Sequence, residues 1–202
     1  MDTAIIIKHY ASPAGPLLLG SLQGRLCLCD WVAGGRAEST LLRLGRKLGG
    51  RSLDGTTDVI ELAARQLDEY FARTRRTFDI PIYMAGSSTG TDTASDTAFG
   101  TGFQQKVWRA LTEIPYGTTI SYGELARSLG MPTAARAVAG AVGANPVSVV
   151  VPCHRVVGSN GSLTGFAGGL EAKTVLLEIE RPPENTLLEI ERNPKNLNSP
   201  AL

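Results

Sequence analysis

Residues 85 to 102 of this chain read Ala-Gly-Ser-Ser-Thr-Gly-Thr-Asp-Thr-Ala-Ser-Asp-Thr-Ala-Phe-Gly-Thr-Gly, with Phe99 the one large apolar side chain among them. A stretch so poor in apolar surface cannot offset the entropy lost on ordering it, and it has the composition of a linker. The rest of the sequence must therefore fold as two halves. The boundary is placed inside this stretch, giving an N-terminal domain at 1–90, a C-terminal domain at 91–182 and a tail at 183–202. The tail begins with an oddity: residues 176–185, "LLEIERPPEN", nearly recur at 187–196 as "LLEIERNPKN". Two copies are too few for a solenoid. The second is read as a short tail element or a duplication scar, with disordered residues after it.

The first half alternates like a sheet and then a pair of helices. Residues 4 to 33 hold three short apolar runs, separated by Ser12-Pro13-Ala14-Gly15-Pro16 and by Gln23-Gly24. Both separators are good turn chemistry. In "RLCLCDW", Leu26, Leu28 and Asp30 share one face and Cys27, Cys29 and Trp31 the other. A C-x-C pair can hold zinc only with further ligands, and His9 is the only spare histidine, so structural cysteines are the better reading. "RAESTLLRLGRKLG" and "DVIELAARQLDEYFART" carry helical apolar spacing. "FDIPIYM" reads as an edge strand, because its proline lacks a ladder donor.

The second half is helical. Phe103, Val107, Trp108, Leu111 and Ile114 form one stripe. Ser121 and Glu124 have capping-box spacing, and Gly130 is a good helix stop. A second short helix within "MPTAARAVAGAVGANP" completes a helix-turn-helix pattern. That second helix is nearly bare. Ala134, Ala135, Ala137, Gly140 and Gly143 leave Arg136 as its one long polar side chain. A major-groove reader needs long polar groups. A bare helix with one arginine suits close, sequence-independent approach to a minor groove, and it equally suits tight helix packing. A loop punctuated by Gly158, Gly161, Gly165, Gly168 and Gly169 leads to a last helix at Leu170–Glu180.

Bulk properties narrow the classes. The formal charge of +1 over 202 residues means that any nucleic-acid surface must be local. No run reaches the ~18 to 20 apolar residues of a membrane span, and the start lacks a signal peptide's basic region and apolar core. Three cysteines cannot all pair, so the expected setting is a reducing cytoplasm.

The strongest chemistry lies in Val149-Val150-Val151-Pro152-Cys153-His154-Arg155-Val156-Val157. The valines predict a buried strand, and Pro152 ends it at Cys153, the residue before one of only two histidines. A buried cysteine is usually a small hydrophobe. Beside a histidine it is equally a candidate nucleophile, because a base that takes the thiol proton supplies the reactive thiolate.

These residues resemble those of the O6-alkylguanine-DNA alkyltransferases, suicide repair proteins that move an alkyl group from guanine onto a cysteine. The carriers are "FQQKVWRAL", "IPYGTTISYGELA" and "AARAVAGAVGANPVSVVVPCHRVVGSNGSLTGFAGGLEAKTVLLEIE", with Asn145 eight residues before Cys153. The first half is similar only through "ASPAGPLLLGSLQGRL" and "LDEYF", and the overall pattern resembles the free-standing bacterial members.

The resemblance implies an α+β chain. A small N-terminal sheet-and-helix domain, ribonuclease-H-like, precedes a mainly helical C-terminal domain with a winged-helix-like helix-turn-helix. It also implies roles. Cys153 accepts the alkyl group, His154 activates it through a water, Glu180 orients His154, and Asn145 fixes the turn. Tyr122 protonates the leaving guanine and also touches DNA. Val156 and Ala167 read the guanine edge, in a pocket completed by Phe166 and Val142. Arg136 fills the gap left by the flipped nucleotide, with Ala134, Ala135 and Ser159 also at the DNA. The implied partner is double-stranded DNA containing O6-alkylguanine or O4-alkylthymine, bound from the minor groove by a monomer. No cofactor is implied, and no metal, because the histidines of the human relative's zinc site are missing here. Phe166 departs from the tyrosine of many relatives, the 85–102 link is longer than usual, and Glu191 in the tail is a second candidate acid. Glu180 keeps the family spacing and is preferred. Two other readings stand beside this one. The first is a lesion-sensing, DNA-binding alkyltransferase-like protein without efficient transfer, though such relatives replace the cysteine. The second is a cysteine hydrolase, for which no oxyanion hole is recognisable.

Overall fold

The computed structural model describes residues 4–48, 50–83 and 100–182. The boundary near residue 90, the repeated tail and Glu191 lie outside the described residues. Ile5–Ser12 (β1), Gly15–Leu22 (β2) and Arg25–Trp31 (β3) form an antiparallel meander. Gln23 and Gly24 turn β2 into β3 with φ of 51° and 72°, the positive pair that a two-residue hairpin loop needs. Arg36–Leu48 (α1) follows, then Ser52–Asp54 (β4), which pairs parallel to β1 and gives the order β3-β2-β1-β4. With three residues and one apolar side chain, β4 has no periodicity for a sequence reading to find. Asp58–Phe71 (α2) is capped by Thr57 and buries Val59, Ile60, Ala63, Leu67 and Tyr70. Leu26 through Trp31 are all buried, so both faces of β3 are covered.

The edge strand expected in "FDIPIYM" shrinks to one bridge, Ile82 beside Leu26. Leu26 N donates to Pro81 O and Tyr83 N donates to Leu26 O, both at 2.8 Å. Pro81 has no N–H with which to extend the ladder.

The second half builds Gly102–Thr112 (α3), Ile120–Ser121 (β5), Tyr122–Ser128 (α4), Ala135–Gly143 (α5), Val156–Val157 (β6) and Gly169–Glu180 (α6). Thr101 with Gln104, and Ser121 with Glu124, form capping boxes on α3 and α4. β5 and β6 pair in parallel beside the α4–α5 helix pair. The architecture is mixed α+β, a sheet with helices followed by a mainly helical region. One hydrophobic cluster runs through both halves, from Ile5 to Ile179.

The valine run is not the buried strand expected. Val149 has φ of 70° and sits in a tight turn closed by Val150 N donating to Ser148 O at 2.9 Å. A second such turn, centred on Pro152, is closed by Cys153 N donating to Val151 O at 2.8 Å. These three-residue turns consume the backbone groups a strand would have paired. The valines are buried all the same, with Val149 and Val151 each 1% exposed. Left-handed geometry at a β-branched residue is costly and persists only where surrounding contacts enforce it. The contacts here come from the first half, since Cys29 N donates to Pro146 O and Ser148 N to Cys29 O.

Candidate active site

Cys153 opens a short 3₁₀ turn, Cys153–Arg155, rather than ending a strand. It is 4% exposed, and the following His154 is fully buried. Asn145 holds the turn in shape: its Nδ2 donates to Val151 O at 2.9 Å and its Oδ1 accepts from Val147 N at 3.1 Å. Burial pushes the Cys153 thiol up, and the nearby Asp30 charge adds to this. Hydrogen bonding to Asn145 and Ser148 opposes it only in part. The resting sulfur is therefore a thiol that needs a base.

His154 presents Nε2 to Glu180 Oε1 at 2.9 Å. Glu180 is buried at the end of α6 and is crowded with donors. Tyr70 OH, from α2, donates to Oε1 at 2.8 Å. Arg155 forks onto both oxygens, Nε to Oε2 and Nη2 to Oε1, each at 2.8 Å. Gly117 N donates to Oε2 at 3.1 Å. Gly117 has φ of 74°, and a Cβ there would lie 2.7 Å from the Glu180 carbonyl oxygen, so glycine is needed for this approach. Burial pushes the Glu180 carboxyl up, but bonds and charges from His154 and Arg155 outweigh it and hold it at about 2. Burial pushes His154 down, and the Glu180 bond restores only part. An ionised carboxylate can only accept, so the His154 proton sits on Nε2 and Nδ1 keeps its lone pair. Nδ1 is buried, with no hydrogen-bond partner among the described residues.

The other sequence-derived residues divide between buried and exposed positions. Val156 is buried on β6, Val142 is buried on α5, and Phe166 and Ala167 are half-buried in the loop before α6. Phe166 stands edge-on to Trp31, with ring centroids 5.7 Å apart. Tyr122 is half-buried at the first turn of α4, and burial pushes its phenol up. Arg136 and Ser159 are exposed, and Ala134 and Ala135 are partly so. On α5, Val138, Ala141 and Val142 face inward, while a Cβ at Gly140 or Gly143 would meet nothing within 4 Å. Those two glycines serve no helix packing; the bare face is open.

Sequence reasoning missed four residues. Tyr70 was read only as part of a helical apolar stripe. Arg155 lay inside "PCHR" without a role of its own. Lys173 is fully buried on α6 and donates to Val156 O at 2.7 Å and Thr164 O at 3.2 Å. Asp30, also fully buried, accepts from Arg36, Thr40 and Ser148 and ties β3 to the cysteine turn. A signal existed for Asp30: it is a charged residue on an otherwise apolar strand face.

Residues 102–182 match the family model described as 6-O-methylguanine DNA methyltransferase, DNA binding domain. A methylated-DNA–protein-cysteine methyltransferase of Methanosarcina acetivorans is 37% identical over 171 residues, 85% of this chain and 95% of that protein. The inducible methylated-DNA–protein-cysteine methyltransferase of Bacillus subtilis is 43% identical over 136 residues, 67% of this chain and 68% of that one. The crystal structure of Mycobacterium tuberculosis O6-methylguanine methyltransferase superposes with a TM-score of 0.69 at 36% identity, covering 91% of this chain and 99% of that one. A structure of the M. tuberculosis protein in complex with DNA gives 0.67 at 36% identity, covering 92% and 99%. The chain belongs to the methylated-DNA–protein-cysteine methyltransferase family.

Proposed function

We propose that this chain repairs alkylated DNA by transferring the alkyl group from O6 of guanine, or O4 of thymine, to its own Cys153, once per molecule. The observation that carries the reading is the buried Cys153–His154–Glu180 arrangement, in which Nδ1 is the ring nitrogen left free to accept a proton. The thiol proton passes through a water to Nδ1. Cys153 Sγ then attacks the alkyl carbon, the carbon–O6 bond breaks, and the guanine leaves with its electron pair. Tyr122 supplies the proton that neutralises it. The product is a thioether, which water does not cleave, so the protein is consumed.

The base must leave the stack to reach Cys153, which is only 4% exposed. Phe166 offers it an aromatic face, and the Val156 carbonyl and Ala167 amide offer edge contacts. The open face of α5 supports minor-groove docking by a monomer, with Arg136 entering the gap and Ser159, Ala134 and Ala135 along the backbone. The order β3-β2-β1-β4 supports a ribonuclease-H-like reading of the first half. The β5–β6 pair beside α4–α5 supports a winged-helix-like reading of the second. No helix among the described residues is long and apolar enough to cross a membrane, and we place the activity in the cytoplasm.

A titration of the chain against duplex DNA carrying O6-methylguanine tests this. The methyl groups removed should saturate at one per chain. Continued turnover would overturn the suicide reaction, and tight binding without removal would favour the lesion-sensing reading.

A further inference from the structure

Glu180 Oε1 takes hydrogen bonds from three side chains, and one of them belongs to the other half of the molecule. His154 Nε2 is 2.9 Å away, Arg155 Nη2 2.8 Å, and the Tyr70 hydroxyl 2.8 Å. Tyr70 is fully buried on α2, where its ring packs against Phe71, Phe78 and Tyr116. The ring contacts would hold a phenylalanine equally well. The hydroxyl is what reaches the carboxylate.

We propose that Tyr70 is a positioning residue for alkyl transfer, which fixes Glu180 and draws charge from the oxygen shared with His154, so that the imidazole stays neutral and able to accept the Cys153 proton. This rests on the reading of His154 as the base. A carboxylate that only oriented His154 would suffice if the imidazole were to be charged. Here the imidazole must start neutral, and a carboxylate 2.9 Å away pulls the other way by stabilising the imidazolium. Donors on the same oxygen counter that pull, because they spread its charge before the imidazole can use it. Arg155 acts in the same direction, and its remaining nitrogen Nη1 is pinned to Ile114 O at 2.6 Å. The groups facing this cluster are Tyr70 from α2, Tyr116 and the Gly117 amide from the turn before β5, Arg155 from the 3₁₀ turn, and Lys173 from α6, with Arg73 and Arg76 near Tyr116. Tyr70 is the donor on Oε1 whose hydroxyl can be removed without changing any charge or the ring packing.

The sign of the effect follows. Without the hydroxyl, Oε1 is more basic, the imidazolium is better stabilised, and His154 protonates at higher pH. The acid limb of the transfer rate then moves up.

The test is the single-turnover rate of methyl transfer from O6-methylguanine duplex DNA, across pH, for the unaltered chain, Tyr70→Phe and His154→Ala. The acid limb of Tyr70→Phe should lie about one pH unit higher, the scale of one hydrogen bond to a charged group. The alkaline plateau should stay within about threefold. A merely structural tyrosine would lower the rate equally at every pH, or only lower the melting temperature, and either result overturns the proposal. If His154→Ala keeps the same acid limb as the unaltered chain, the base reading itself fails, whatever Tyr70→Phe does. Nitrogen NMR of the imidazole gives an answer independent of activity, with only two histidines in the chain. His154 should titrate at higher pH in Tyr70→Phe, and an unchanged titration overturns the proposal. Should Tyr70→Phe not fold, Arg155→Lys keeps the charge but loses the fork, and it should move the same limb the same way.

Discussion

His154 Nε2 and Glu180 Oε1 meet at 2.9 Å across 26 residues of sequence, and neither side chain is more than 1% exposed. The contact fixes which imidazole nitrogen carries the proton. Burial holds His154 below its ordinary value of 6.5, with the Glu180 bond opposing. The base form is lost as pH falls through that lowered value. Transfer by the unaltered chain should therefore persist through neutral pH and reach half-rate below pH 6.5 on the acid side. A half-point above that would contradict a neutral buried base. Single-turnover rates in buffers of constant ionic strength measure it.

Glu180 carries a stability consequence of the same contacts. Its folded value of about 2 lies below the ordinary 4.5. A lowered acid contributes stability that is complete above the unfolded value and lost as pH falls through the folded one. Glu180→Gln should be less stable than the unaltered chain at neutral pH and should lose less between pH 4.5 and about 2. Urea midpoints at several pH values give the comparison, and parallel curves would refute the assignment.

Asn145→Ala leaves Val147 N without its acceptor and strips Val151 O of one of its two donors, leaving only Cys153 N on it. The unpaired amide costs about 1 to 3 kcal/mol, and the lost second bond adds about 0.5 to 1.5 kcal/mol. The expected loss is about 2 to 4 kcal/mol in denaturant unfolding, with slower transfer because the Cys153 turn relaxes. A loss under ~0.5 kcal/mol would show that the turn holds itself.

Gly168→Ala probes the seam between the halves. A Cβ at Gly168 would lie 2.4 Å from Trp31 Cδ2, and Trp31 stands edge-on to Phe166. The indole must shift, at a cost of about 1 to 3 kcal/mol. The variant should also slow transfer, since the displaced Trp31 carries Phe166 with it. Unchanged stability and rate would mean that the seam is looser than its geometry.

Local patterns were legible in the sequence wherever one element decided them. The meander followed from Gln23-Gly24 and short apolar runs, and the start of α4 followed from Ser121/Glu124 spacing, while the Thr101/Gln104 box was hidden at the end of the linker-like stretch. Asn145 bonds the Cys153 turn and Glu180 bonds His154, contacts between residues that only the resemblance, not local pattern, drew together. What failed was decided by tertiary contact. Val149 to Val151 have strand propensity, but Asn145 and Cys29 claim the local backbone and bend it into turns. β4 exists because β1 offers an edge, not because Ser52-Leu53-Asp54 asks to extend. Tyr70 lies 110 residues from Glu180, and nothing in a helical stripe says which buried tyrosine turns its hydroxyl to a distant carboxylate.

The assignment of Cys153 as the alkyl acceptor is tested by intact and peptide mass after incubation with duplex DNA carrying O6-methylguanine. One methyl should replace one proton, confined to the peptide that contains Cys153, and Cys153→Ala should bind the same DNA and gain nothing. A methyl on Cys27, Cys29 or any other residue, or transfer by Cys153→Ala at the unaltered rate, would contradict it.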